Sequence, residues 1–110
     1  MYYDLSKKEK KIARQCIDKG LNIAYSNAFD KAGLVVQDWH AEKLPARDAY
    51  LKLFEIVEQH NAGIARRYDG LTGSRYLVTV AQLFSEKVIT EDDIKEFSDE
   101  TKAVIRFFGK

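Results

Sequence analysis

The chain has 110 residues, 45% of them hydrophobic and 32% charged, with one proline, six glycines and a formal net charge of +1. That length suits one domain, the apolar content excludes a disordered chain, and the small net charge leaves no global field to draw the protein to nucleic acid or a membrane surface. A single cysteine, Cys16, excludes an intrachain disulfide and a multi-cysteine zinc site, and no run of about eighteen apolar residues exists, so no metal, cofactor or membrane span is expected.

The opening stretch, MYYDLSKKEKK, has no apolar run behind its charges, so no secretory leader is expected and the chain is read as cytoplasmic. Ser6-Lys7-Lys8-Glu9 has the form of a capping box, in which the Ser6 hydroxyl accepts from the Glu9 N–H and Glu9 reaches back. A helix therefore begins here, with Leu5 packing back on its first turn. Two ridges follow along it. Ile17, Leu21, Tyr25 and Phe29 recur every fourth residue, and beside them run Cys16, Gly20, Ala24, Ala28 and Ala32, all small. A row of small side chains lets another backbone come close. That gives Gly20 a packing reason to lie inside a helix despite a cost of about 1 kcal/mol. One long helix from Ser6 to about Ala41 is expected, with two helices broken near Gly20 as the alternative. Gly20, Ala24, Ala28, Ala32 and Trp39 are the candidate interface residues.

Leu44-Pro45 marks the next start, because proline suits a first helical turn and disfavours helical angles in the residue before it. From there Ala46, Tyr50, Leu53, Val57, His60, Ile64 and Tyr68 recur at spacings of four and three, which keeps them on one face. Ala49, Phe54, Ile56 and Ala65 widen that stripe, so more than one partner helix is expected and the rest of the chain is read as packing around this segment. Arg66 and Arg67 sit in its last turn, where cations meet the negative end of the helix dipole, and Asp69-Gly70 stops it.

Thr72 or Ser74 is then expected to cap a helix from Arg75 to about Lys87, with Tyr76, Leu77, Val80, Leu83 and Phe84 as its core side. Thr90 followed by Glu91, Asp92 and Asp93 signals a short helix whose Ile94 and Phe97 face inward. Ser98 opens a last segment containing Ala103, Val104, Ile105, Phe107 and Phe108. The fold class expected is all-α: a single-domain helical bundle of two long and two or three shorter helices. Charge is uneven along it. Residues 1–20 carry six basic against three acidic side chains, and residues 86–100 carry seven acidic against two basic. Such segments either pair with each other or form solvated faces.

One constellation has the chemistry of an anion site. Arg66 and Arg67 close one helix, Arg75 opens the next, and Gly73-Ser74 lies at a helix N-terminus, where free N–H groups and the dipole favour phosphate or carboxylate. Tyr68 and Tyr76 add stacking surfaces. Ordinary helix capping accounts for the same residues. No P-loop pattern is present. His60 lies on the apolar stripe and reads as a core histidine, while His40 reads as a surface residue at a helix end. Glu58 and His60 are two apart, which points them to different faces and excludes the Glu-x-x-His pairing of di-metal bundles. Tyr2, Tyr3, Trp39, Phe107 and Phe108, near chain or helix ends, either fold back on the bundle or meet a partner chain. The functional expectation is a non-enzymatic protein–protein interaction module or small subunit of a larger assembly, self-associating as a homodimer. The alternative is a module that binds nucleic-acid backbone through the Arg66–Arg75 loop, with the lysines of the first turn of the opening helix.

Overall fold

The computed structural model describes residues 4–109, so Tyr2 and Tyr3 lie outside the described residues. Its elements, in order, are α1 (Lys7–His40), α2 (Ala46–Tyr68), a 3-10 turn at Gly73–Arg75, α3 (Tyr76–Ser85), α4 (Glu91–Ile94) and α5 (Asp99–Phe108). The class is all-α, with two long helices, three shorter ones and no strand among the described residues. None of these helices is long and apolar enough to cross a membrane. Two compact units make up the chain: residues up to Leu21 together with those from Gly70 onward, and the segment Asn22–Asp69.

The helix boundaries follow local chemistry. Ser6 Oγ accepts from the Glu9 N–H at 3.1 Å and donates to Glu9 Oε1 at 3.4 Å, so the first cap forms as its sequence implies. Leu5 is buried beside it. α1 passes through Gly20 without a break. Pro45 is the N-cap of α2, and Gly70, at a φ of 67°, follows its C-cap Asp69. Before α3 the expected cap is absent: no side chain bonds the helix start there, and the Thr72 and Ser74 hydroxyls bond each other at 3.0 Å. Ser98 Oγ accepts from the Thr101 N–H at 3.2 Å and caps α5.

The first unit holds the apolar core. Leu5, Ile12, Ala13, Cys16 and Ile17 supply one side of it, and Leu77, Val80, Leu83, Ile89, Ile94, Phe97 and Ile105 the rest, all buried. Two threonines, Thr79 and Thr101, are buried among them. The closest helix pair among the described residues is α3 with α5. Gly109, just past α5, permits that approach. A methyl group added there would lie 2.7 Å from the Ile105 carbonyl, 2.9 Å from the Ala81 carbonyl and 3.1 Å from the Phe84 ring.

Polar contacts tie α1 to the later helices. Lys19 Nζ pairs with Asp93 Oδ2 at 2.6 Å, joining the basic and acidic segments at one point. The same carboxylate accepts from the Thr90 N–H at 2.7 Å and the Thr90 hydroxyl at 3.1 Å. Glu9 Oε2 accepts from the N–H and hydroxyl of Ser98, each at 3.2 Å. Partial burial pushes both carboxyls up. Hydrogen bonds from Lys19 and Thr90 to Asp93, and from Thr101, Ser98 and Ser6 to Glu9, outweigh it and hold both below the ordinary carboxylate value.

α2 departs from its expected place at the centre. Only Ala49 on it is buried, and the only other buried apolar side chain in Asn22–Asp69 is Val35. The core lies in the shorter helices and the first half of α1 instead. The close approach expected along the small-residue ridge is likewise confined: Cys16 and Gly20 are buried, whereas Ala24, Ala28 and Ala32 are half-buried. On α2 the half-buried positions include Leu53, Ile56 and His60.

Gly109→Ala is expected to cost about 1–3 kcal/mol, because backbone carbonyls on both sides must move. Thermal unfolding by circular dichroism measures it, and an unchanged midpoint would show that the α3–α5 contact is looser than described. A carboxyl with a lowered folded pKa contributes stability above its unfolded value of about 4, and loses it as pH falls through the folded value. The melting temperature should therefore drop on acidification below about pH 4. Glu9→Gln combined with Asp93→Asn should flatten that drop, and an unaltered acid limb would remove these two groups as its source.

Candidate protein-contact surface

The segment Asn22–Asp69 is a helical hairpin, the second half of α1 and all of α2 joined by residues 41–45. At roughly 100° per residue, Val35, Ala28 and Ala24 share one side of α1, and Ala49, Leu53, Ile56 and His60 share one side of α2. These buried and half-buried positions mark the seam. Beside the seam on α1, the exposed positions Tyr25, Phe29, Val36 and Trp39 form one stripe. Beside it on α2 run Tyr50, Leu51, Phe54 and Val57, also exposed. Phe29 is 75% exposed, Tyr50 71% and Phe54 62%.

Both stripes fall on the same side of the hairpin. On each helix the stripe is turned from the seam by about a quarter to a third of a turn, in the sense of advancing residue number. Two helices joined by a five-residue turn inside one compact unit form an antiparallel hairpin, and equal rotations of that sense then carry both stripes to one side. On this helical geometry the stripes make one apolar face, with Ile23 and Leu34 on another side of α1. Trp39 closes one end, its ring 4.6 Å from that of His40. Sequence spacing found α2's wide apolar arc. It did not separate the seam from the open face, because both positions are apolar.

The candidate anion residues divide between the two units. Arg66 and Arg67 end α2 in the second, exposed and half-buried respectively. Gly73, Ser74 and Arg75 form the 3-10 turn in the first. There the Arg75 N–H donates to the Thr72 carbonyl and the Tyr76 N–H to the Gly73 carbonyl, so neither is open to an anion. Two cations of α1 lie at the turn and at Tyr76 beside it, one of the first-turn lysines, Lys10, and Arg14, which sequence spacing did not single out. Lys10's aliphatic stem lies where a Gly73 side chain would meet it, at 3.5 Å. Arg14 Nε donates to the Tyr76 hydroxyl at 3.1 Å, with its guanidinium 5.8 Å above the ring. Lys10 and Arg14 are four apart on α1, the one sequence signal that could have flagged them.

The other titratable groups are described by their surroundings. Burial and the nearby Asp93 push the Cys16 thiol up to about 11, and its sulfur lies 3.5 Å from the Asp93 carbonyl, so it remains a protonated core side chain. His60 is half-buried on the seam and His40 exposed. Among the described residues, no group of three His, Cys, Asp or Glu side chains is placed to hold a metal ion.

Comparison with protein-family models, curated proteins and solved structures finds no match for this chain.

Proposed function

We propose that this chain is a self-associating protein-contact module that works through the apolar face of its hairpin. The observation that carries this reading is the pair of exposed aromatic stripes on one side of Asn22–Asp69. Soluble monomers rarely expose contiguous apolar patches beyond a few hundred Å². Five aromatic side chains at 45–75% exposure leave about 600 Å² open, taking roughly 200 Å² for each. The other unit has its own buried core around Leu83, Ile94 and Ile105.

Light scattering behind size exclusion tests it. The chain should run above its monomer mass of 12.7 kDa, with the mass rising with concentration. Phe29→Ser with Phe54→Ser should return it to the monomer with its helical spectrum intact. A wild-type chain at monomer mass at every concentration would sink the reading.

A second reading is an anion-binding turn, favoured by Lys10 beside Gly73 and Arg14 on Tyr76, with Arg75 in the turn itself. It stands behind the first because Arg14 is already engaged by Tyr76. Fluorescence anisotropy with labelled RNA and DNA at two salt concentrations decides it. Binding that weakens steeply with salt supports it, and no binding at low salt removes it.

A further inference from the structure

The geometry points to one occupant of the hairpin face: a second copy of this chain, laid face to face about a two-fold axis, with α2 antiparallel to the second copy's α2 and α1 antiparallel to its α1. This rests on the self-association reading and gives it a number, a register and an orientation.

The area is right for such a pair. The aromatic rings alone leave about 600 Å² per copy, three quarters of the roughly 800 Å² per partner in a standard interface. Val36, Leu51 and Val57 add to it. Two hairpins joined this way give a four-helix bundle, the arrangement in which every helix of a hairpin gains the second neighbour it lacks.

The register comes from charge. Arg47, Leu51, Phe54 and Glu58 lie at spacings of four, three and four, within about 60° of arc along the outer edge of the α2 stripe. Arg47 and Glu58 are exposed, and neither has an ion-pair partner among the described residues. In an antiparallel pair of α2 helices with the axis between positions 52 and 53, Arg47 meets the second copy's Glu58. Glu58 then meets its Arg47, and Leu51 and Phe54 exchange places in between. Opposite charges equidistant from a two-fold complement themselves, since each contact occurs twice.

α1 gives the same axis independently. Phe29 and Val36 are centred between positions 32 and 33, and Tyr25 and Trp39 on position 32. Counted back from the turn at residues 41–45, that point is level with positions 52–53 on α2 to within about one residue, or roughly 1.5 Å. Ala32 and Gly33 occupy the crossing, and a side chain added at Gly33 would meet nothing within 4 Å, so the space for a second backbone is open. A two-fold running along the helices is disfavoured by the same residues. It would set α2 over the second copy's α1, whose rim of Asn22, Ser26, Asp30 and Gln37 carries no Lys or Arg to answer Glu58.

Charge exchange tests the register, read by sedimentation equilibrium and native mass spectrometry. The wild-type chain should form a dimer of twice 12.7 kDa. Arg47→Glu and Glu58→Arg should each weaken it by about tenfold or more at low salt, because every rim pair becomes a like-charge pair. The double variant R47E/E58R should recover the wild-type dimer, which also shows that these side chains are not needed for folding. An equimolar mixture of the two single variants should form a heterodimer in preference to either homodimer. A self-associating chain indifferent to both single variants, or one whose mixture stays unpaired, overturns this register while leaving the self-association reading intact. A wild-type monomer overturns both.

Discussion

A helix can bury only the arc of its surface that neighbouring elements cover, and the two units of this chain meet that constraint in different ways. In the first, short helices are enough because several meet around the same side chains. α3 is ten residues long yet buries Leu77, Thr79, Val80, Ala81 and Leu83, since α5 covers it closely and Gly109 lets the backbones approach. Ile94 and Phe97 are fully inside although α4 is a single turn. In the second, twenty-three residues of α2 bury one alanine. Length is greater there, and burial is less. A lone hairpin gives each helix one neighbour, while the apolar arc of α2 is wide enough for two.

The polar contacts of the first unit serve position more than stability. Lys19 and Asp93 are both partly solvated, and exposed pairs of this kind contribute about 0–1 kcal/mol. Their effect is to fix register. Asp93 holds Thr90 and Lys19 together, and Glu9 holds Ser98 at the start of α5 while completing its own cap with Ser6. Each carboxylate thus joins a helix terminus to α1, and each does so with donors that favour its charged form.

Local chemistry made much of the fold legible. Ser6, Pro45, Thr90 and Ser98 each mark a helix start because the cap depends on residues within one turn. Ile94, Phe97 and Ile105 were recognisable as core from apolar spacing. What periodicity does not carry is which apolar face is covered. The stripe through Tyr50 and Val57 is as regular as any in the chain, so it read as central, yet both residues are exposed. Thr79 and Thr101 were missed for the converse reason, since a threonine inside a core has no pattern to announce it. The Arg66–Arg75 loop was legible as a set of residue types. Which cations lie at Gly73 and Tyr76 was not, because Lys10 and Arg14 are more than sixty positions away in sequence and only packing brings them there.

The hairpin divides labour between its two helices. The rim of the α1 stripe, at Asn22, Ser26, Asp30, Gly33 and Gln37, carries one acid and no Lys or Arg, so it can accept close packing but lacks a pair of opposite charges to set direction. The rim of the α2 stripe carries Arg47 at one end and Glu58 at the other, about 16 Å apart along the helix. Apolar area supplies attraction to many surfaces, and shape alone would let two hairpins meet in either sense. A single basic and a single acidic side chain, placed symmetrically about the aromatic centre, penalise the parallel arrangement of two α2 helices, in which like charges would face each other. Orientation then costs only two rim residues, which the fold of the hairpin itself does not use.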